Sequence, residues 1–322
     1  MATNFTTSNQ LSQREDLANW ISNISRDLTP FKASIGTSKC TATTHEWSTD
    51  TLQTAGLQAA AEGSAYAVST SPVIVRLNNI TQIFTKGIEI SGTLETVDKA
   101  GRKSEFKYQS EKRGKEIMRD IEATLVSKQL RTASASATGN IQLAARLMGS
   151  YESYVGVCQE AAGTLQSNAT AGTGASVWNA TGTGAAFTLD DINEVLREIN
   201  GVTSAAPSIV MMSTAQKVNF SNLINTSSMN TRRNIDEKGK LRQSVDLYES
   251  DFGDVELVHN YLMGNTEIFV YDPSTMSMNT LRPLHFRNIA EDGDSLRSYL
   301  VQELTFEAKT PTGNAVIIDV LA

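Results

Sequence analysis

The spacing of apolar residues near the N-terminus predicts one amphipathic helix. Four residues recur at i, i+3, i+4 and i+7 and would share one helix face: Leu17, Trp20, Ile21 and Ile24. Pro30 is expected to end this helix, because the residue before a proline avoids the α region.

Two alternating segments that follow predict a long β-hairpin. Residues 39–52 alternate and are rich in Thr, which favours an extended strand, and residues 39–55 are predicted as the first arm of the hairpin. Residues 73–94 give the strongest β pattern in the chain, with a change of parity that predicts a bulge near Asn78 and Asn79, and residues 72–93 are predicted as the second arm. A lone hairpin is only marginally stable in water, so we expect this one to lie on another surface.

The segment from Lys103 to Arg131 predicts one long helix. It lacks proline and carries a narrow apolar stripe: Phe106, Ile117, Met118, Ile121, Leu125 and Val126. At 1.5 Å per residue such a helix would be about 43 Å long. Its basic residues alternate with acids, which favours a solvated structural helix and leaves weak phosphate contact as the alternative.

The second half of the chain predicts alternating helices and strands. Residues 161–187 are rich in Gly, Thr and Ala and are expected to form a flexible surface loop or insertion. A helix follows, with Thr188 as its N-cap and Gly201 just past its end. We expect a buried strand at 208–212, a second helix, several short strands, and a C-terminal hairpin.

Composition argues against a secreted, membrane-spanning or enzymatic chain. The 322 residues carry a net charge of −7, so the chain as a whole does not attract phosphate. The N-terminus has no signal-peptide pattern, and no run of eighteen apolar residues occurs. The two cysteines are expected to be buried reduced thiols. The three histidines have no metal-site spacing, and no G-x-S-x-G motif is present. We therefore expect no catalytic residue, no metal and no cofactor.

The order of elements and several local sequences resemble one family. HEWSTDTL (45–52), SGTLETVDKAGRKSEFKYQSEKRGKEIMRDIEATL (91–125) and IFVYDPSTMSMNTLRP (268–283) are similar to the major capsid proteins of tailed bacteriophages, which have the Hong Kong 97-type fold. The resemblance implies an α+β chain with five parts: an N-terminal arm (1–44), an E-loop hairpin (45–93), a spine helix of the P-domain (94–135), an A-domain (136–284), and return strands of the P-domain (285–322).

The resemblance implies a protein of the virion that assembles with copies of itself. It implies pentamers and hexamers in an icosahedral shell around double-stranded DNA, built in the host bacterial cytoplasm. Scaffolding, portal and decoration proteins are the other partners expected, with only weak, non-specific contact to the packaged DNA and none to a membrane. The alternatives are an encapsulin-like cargo shell, a secreted Ser/Thr-rich β adhesin and a hydrolase.

We expect the first ninety residues to be held extended by neighbouring copies. Fixing an extended backbone costs about 1–2 kcal/mol per residue, which an isolated arm does not recover. Nine residues are predicted assembly contacts, Trp20 and Trp47 having core positions as their alternative: Trp20, Phe31, Trp47, Phe84, Lys86, Arg102, Lys112, Arg113 and Ile121.

Overall fold

The computed structural model describes most of the chain after residue 25. The described residues are 26, 28–53, 55–57, 59–65, 72–99, 101–133, 145–161, 163, 165–167, 173–179, 184–203, 205–226, 246–290 and 293–321. The helix predicted over Leu17–Ile24, including Trp20, lies outside them.

The described residues form five α-helices and thirteen strands. The helices are α1 (Pro30–Ser34), α2 (Gly92–Thr96), α3 (Glu105–Leu125), α4 (Leu189–Val202) and α5 (Thr214–Thr226). The strands are β1 (Gly36–Lys39), β2 (Thr44–Thr49), β3 (Val75–Ile80), β4 (Gln82–Ser91), β5 (Val157–Glu160), β6 (Leu165–Ser167), β7 (Ile209–Met212), β8 (Leu247–Ser250), β9 (Gly253–His259), β10 (Ile268–Tyr271), β11 (Met276–Asn288), β12 (Ser295–Ala308) and β13 (Ala315–Ile318).

A four-stranded sheet joins the two ends of the chain. Its order is β1-β11-β12-β4, with β1 parallel to β11 and the other pairs antiparallel. The predicted boundary between residues 284 and 285 lies inside β11, which runs through it without a break. Because β1 and β4 pair with C-terminal strands, these parts of the N-terminal third are supported by their own chain. The expectation that neighbouring copies alone hold this third is therefore wrong for these parts.

The predicted single hairpin is also wrong, because its two arms divide between two sheets. Only β2 and β3 pair with each other, in a separate two-stranded ribbon. Beyond Thr81 the chain leaves the ribbon, and β4 pairs with β12 along its whole length. Thr81 is buried, and its Oγ1 donates to Oε1 of Glu303 over 2.8 Å. The break therefore falls at Thr81 and not at Asn78 and Asn79, which remain within β3.

The long helix forms as predicted but is shorter. The hydroxyl of Ser104 accepts a hydrogen bond from the backbone N–H of Lys107 and caps α3, which ends at Leu125 after 21 residues. At 1.5 Å per residue its length is about 32 Å. The helix stops because the carbonyl of Leu125 accepts the N–H of Tyr151, and the following backbone bonds to residues 147–150. Ile117, Ile121 and Leu125 form its buried stripe.

A seven-stranded sheet forms the second unit, in the order β6-β5-β13-β10-β7-β9-β8. Helix α4 covers one face, with Ile192, Val195 and Ile199 in the apolar core beneath it. The predicted cap at Thr188 is confirmed, but Gly201 lies inside the last turn of α4. The predicted C-terminal hairpin is wrong: β12 belongs to the four-stranded sheet, while β13 pairs with β5 and β10.

The predicted surface loop at 161–187 is anchored in its described parts. The indole N–H of Trp178 donates to the carbonyl of Val155 over 3.1 Å. The N–H of Arg131 donates to the carbonyl of Gly174 over 2.9 Å. Gly174 has a φ of +76° and packs against Tyr154, so it combines a backbone conformation that side chains disfavour with a space that a Cβ would overfill.

Candidate assembly surfaces

A buried carboxylate ties the N-terminal segment to the long helix. Oε1 of Glu122 accepts the N–H of Phe31 over 2.8 Å, and Oε2 accepts the N–H of Lys32 over 2.9 Å. The side-chain amide of Asn260 donates to Oε1 over 2.6 Å. Three separate parts of the chain, α1, α3 and the loop after β9, therefore meet at one side chain.

Glu122 retains partners that favour its charged form despite its burial. Burial raises the pKa of the Glu122 carboxyl, while the hydrogen bonds from Lys32, Phe31 and Asn260 lower it, and the net direction is upward. The N–H groups of Phe31 and Lys32 also point outward from the first turn of α1, where a carboxylate is favoured.

Three of the predicted assembly contacts lie in the chain's own core. Phe31, Phe84 and Ile121 are all buried. Phe31 packs edge-on against Tyr151 and Tyr271, with ring centroids 5.5 and 5.1 Å apart. The structure therefore corrects the interpretation of these three as contacts on the subunit surface. Their apolar character, which suggested anchoring, reflects packing within the subunit.

Trp47 is also buried, which agrees with the alternative interpretation of it as a core residue. Its ring lies 5.6 Å from that of Tyr154 and so connects the β2–β3 ribbon to the core. Trp20, the other residue with that alternative, lies outside the described residues.

The four charged candidates lie nearer the surface. Lys86 Nζ on β4 lies 2.7 Å from Oδ2 of Asp120 on α3, and thus pairs sheet with helix. Arg102, just before α3, contacts Glu105 in its first turn. Within α3, Nη1 of Arg113 lies 2.6 Å from Oε2 of Glu116. Lys112 is exposed. These positions are compatible with contacts between copies, and that role stays a prediction.

The most exposed apolar side chains lie between β2 and β3. Every described residue from 51 to 74 is exposed, and we call these residues the loop tip. Leu52 is 97 % exposed and Val73 is 85 % exposed, while Leu57 and Ile74 are exposed as well. Sequence reasoning missed these positions, because isolated apolar residues in an Ala/Ser/Thr-rich stretch have no periodicity. Such a segment is typical of a contact with another molecule.

The outward face of α3 is basic. Three exposed lysines lie along the helix, Lys107, Lys112 and Lys115, and a fourth, Lys103, lies just before its N-cap. Glu111 is exposed among them, so the excess of positive charge is modest. Exposed lysines are groups that can contact phosphate, and such a role for this face stays a prediction.

Comparison with known proteins identifies the family. The model of the SU10 major capsid protein family matches residues 1–321. The chain belongs to this family. A major capsid protein of Escherichia phage Phieco32 is 39 % identical over 130 residues, which are 40 % of this chain and 37 % of that protein.

Solved structures show that this capsid protein shares its fold with other shells. The capsid of cyanophage A-1(L) is 12 % identical, with a TM-score of 0.72, over 98 % of this chain and 99 % of that one. The capsid of a native GTA particle has a TM-score of 0.68 at 10 % identity, over 99 % of this chain and 100 % of that chain. The predicted α+β, Hong Kong 97-type fold is confirmed, as is the function of a major capsid protein in the phage head shell. The family assignment overrides the encapsulin-like and adhesin alternatives.

The capsid protein contains a buried acidic pair that sequence reasoning missed. Lys128 Nζ lies 2.9 Å from Oε1 of Glu267 and 3.5 Å from Oε1 of Glu152. Burial, and then the nearby Glu267, raise the pKa of Glu152 to about 7. Burial lowers the pKa of Lys128, but the two carboxylates outweigh it and the net shift is upward. Just after the end of α3, one lysine is thus the cationic partner of two carboxylates.

His45, one of the three histidines, lies on strand β2 and belongs to a network of hydrogen bonds between two sheets. His45 on β2 places Nε2 3.1 Å from Oε2 of Glu307 and 2.8 Å from the amide nitrogen of Asn279. In the described structure the hydroxyl of Ser277 donates to Oε2 of Glu307 over 3.0 Å. In a catalytic triad a serine hydroxyl would donate to the imidazole instead. The network joins the β2–β3 ribbon to the four-stranded sheet.

Among the residues that the structure describes, no three His, Cys, Asp or Glu side chains come together as a metal site would need. No helix in this part of the chain has the length and apolarity to cross a membrane. Cys40 and Cys158 are both buried free thiols, as predicted.

Proposed function

We propose that the loop tip is the main contact by which copies of this capsid protein associate into a closed icosahedral shell around double-stranded DNA. The supporting observation is the exposure of four apolar side chains in the same segment between β2 and β3: Leu52, Leu57, Val73 and Ile74. Burying one such side chain stabilises a contact by about 1.5–3 kcal/mol. Because symmetry repeats the same contact in every copy, these contributions add up over the whole shell.

The finer parts of the proposal follow from the surface charges and from the family. Pentamers and hexamers are the proposed building units, and scaffolding, portal and decoration proteins the proposed partners. The lysines on the outward face of α3 are proposed to touch packaged DNA weakly and without sequence preference. The subunit is proposed to assemble in the host bacterial cytoplasm and to be non-catalytic. Labelling of the protein by activity-based probes for reactive Ser or Cys would contradict the last point and favour the hydrolase.

Adding a charge to the loop tip tests the assembly proposal. Leu57→Asp introduces a carboxylate that a dry contact between copies cannot accommodate. We expect co-expression with the phage head genes to give few or no particles by electron microscopy. The urea midpoint of the unassembled subunit should not change, because Leu57 is already in water in the free subunit.

Gln53→Asp is the matched control, since it adds the same charge to an exposed polar position of the same segment. It should leave particle yield within about twofold of wild type, because a polar site at the rim of a contact contributes little. Normal particles from Leu57→Asp, or equal losses from both variants, would contradict the proposal.

A further inference from the structure

One face of the four-stranded sheet is open at β4. Along this strand the side chains at even positions are buried or half-buried on the side of α3, whereas those at odd positions are exposed. Ile83 is 45 % exposed although it is apolar. A Cβ added at Gly87 would meet no heavy atom within 4 Å. At β4, no described part of the subunit therefore covers the face opposite α3.

Two arginines on this open face share one carboxylate. Glu303 on β12 lies opposite Ile83 on one side and Arg282 of β11 on the other. Nε of Arg282 lies 2.6 Å from Oε2 of Glu303, and Nη2 of Arg146 lies 2.7 Å from Oε1. One positive charge is left over, because a single carboxylate faces two guanidinium groups. The side chain of Arg282 is 40 % exposed, so part of this charge reaches the surface.

Two more arginines lie farther along the same face. Arg297 on β12 lies opposite Glu89 of β4, and its Nη2 is 2.7 Å from Oε1 of that carboxylate. Arg287 on β11 is exposed and lies opposite Tyr299. Four arginines therefore face two carboxylates, which leaves an excess of two positive charges. We call this surface the arginine face, with Arg282, Arg287 and Arg297 on its strands.

The position of the arginine face favours a protein partner. The lysines proposed to touch DNA lie on α3, which covers the opposite side of the same sheet. With α3 toward the packaged DNA, the arginine face points away from it. Carboxylates of another protein are then the anions that this face meets, and a guanidinium binds a carboxylate through two parallel hydrogen bonds.

The β8–β9 hairpin of the chain carries the complementary charge. Glu249 lies directly opposite Asp254, and both side chains are exposed. Carboxylates in directly opposed positions repel each other and destabilise a strand pair. The described ion pair of this region joins Lys217 to Asp246 over 3.4 Å, and among the described residues no cation pairs with Glu249 or Asp254. A guanidinium between the two carboxylates would replace their repulsion with attraction.

The turn of this hairpin also fits the open face. Asp251 in the turn is exposed and adds a further negative charge. The next residue, Phe252, is 40 % exposed and offers an apolar side chain, as Ile83 does on the arginine face. The hairpin thus matches that face in both charge and apolarity.

We propose that the arginine face of one copy binds the β8–β9 hairpin of a second copy, with its guanidinium groups paired to Glu249 and Asp254. The contact joins two different surfaces, so its repetition around an axis closes a ring of copies. It adds to the loop tip as a contact between copies and does not depend on it. Only the choice of a protein partner rests on the proposed DNA contact of α3.

Glu249→Lys in the full-length protein tests this contact. The new ammonium would face Asp254 within its own hairpin, so the urea midpoint of the unassembled subunit should rise slightly. The same ammonium would face the arginines of the next copy, so the particle yield on co-expression with the phage head genes should fall about fivefold or more. A subunit that becomes more stable and assembles less well has not lost assembly through misfolding.

Glu111→Lys is the matched control, because it makes the same change of charge at an exposed position of α3. It should leave the particle yield within about twofold of wild type, since a single exposed charge contributes little by itself. Normal yield from Glu249→Lys, or equal losses from both variants, would overturn the proposal.

A reciprocal change tests the pairing of the two surfaces. Arg287→Glu should lower the yield by a similar factor, whereas Arg197→Glu, at an exposed position of α4, should not. Combining Glu249→Lys with Arg287→Glu restores opposite charges across the contact and should recover most of the yield.

A double variant that assembles no better than the weaker single variant would overturn the proposal. Particles of normal yield but low DNA content from Arg287→Glu would show that this face meets DNA, which also overturns it. Neither outcome changes the result expected for Leu57→Asp, so the loop tip is tested separately.

Discussion

The backbone N–H of Phe31 donates to Oε1 of Glu122 over 2.8 Å, although 91 positions separate the two residues. This hydrogen bond attaches the N-terminal arm to the middle of the capsid protein. Lys32 and Asn260 donate to the same carboxylate, so a single side chain accepts three donors, two of them buried and that of Lys32 half-buried.

Replacing this carboxylate should destabilise the subunit strongly. Glu122→Ala removes the carboxylate that three buried or half-buried donors share, each loss costing on the order of 1 kcal/mol. We expect a loss of about 3 kcal/mol in the free energy of unfolding, measured by urea denaturation of unassembled subunits. Asp120→Ala, which breaks only the surface pair with Lys86, should cost less than about 1 kcal/mol. Equal effects of the two substitutions would contradict the bridging role of Glu122.

Glu152 should make stability depend on pH. Its folded pKa of about 7 lies above the ordinary value of 4.5. The folded state therefore holds the proton more tightly than the unfolded chain, and the stabilisation is complete below pH 4.5 and is lost as pH rises through 7. We expect the free energy of unfolding to fall by about 1–3 kcal/mol over this range.

Glu152→Gln tests this pH dependence, because the amide does not titrate. The variant should remove most of the fall between pH 4.5 and pH 7, the interval between the ordinary and the folded pKa of Glu152. Glu111→Gln, at an exposed position of α3, should leave the wild-type pH profile intact. A profile that both variants leave unaltered would rule out Glu152 as its source.

Substitutions of Ile121 should lower the stability of the free subunit, and any loss of particles should follow from that. Because this side chain is fully buried in the stripe of α3, Ile121→Ala should lower the free energy of unfolding by about 2–5 kcal/mol. Ile121→Pro should also break the helix and abolish particles. If Ile121→Ala reduced particle yield while the urea midpoint of the free subunit stayed the same, the residue would have to lie at a contact between copies.

Thr188 should contribute a modest share of stability through its cap. Its hydroxyl accepts the N–H of Asp191, whose carboxylate in turn accepts the N–H of Thr188. Thr188→Ala should cost about 1 kcal/mol, seen as a lower urea midpoint. Thr188→Ser keeps the oxygen and should restore most of this loss. A serine variant as weak as the alanine variant would assign the effect to the lost methyl group.

Local signals in the sequence predicted local structure well. The cap at Thr188, the strand Ile209–Met212 and the long helix α3 depend on neighbouring residues, and all three are present. The end of α3 was misplaced because it is set by Tyr151, which bonds to Leu125 from a distant segment. Nothing in the residues after Leu125 marks that stop.

Pairing between distant strands could not be predicted from the pattern alone. Alternation in β4 identifies a strand, but it does not distinguish a partner in β2 from one in β12. The same limit explains the assembly contacts. An apolar residue such as Phe84 has the same pattern whether it packs within its own subunit or against another, and only its burial in the fold decides between them.

The pairing of β4 with β12 also governs the order of events on the ribosome. The partner of β4 begins at Ser295, so a nascent chain must be almost fully translated before that edge of the sheet can close. Until then β4 has no partner strand, and the β2–β3 ribbon beside it has no completed sheet to pack against. An unpaired strand edge can pair with another chain, so β4 is open to such pairing until β12 has been synthesised.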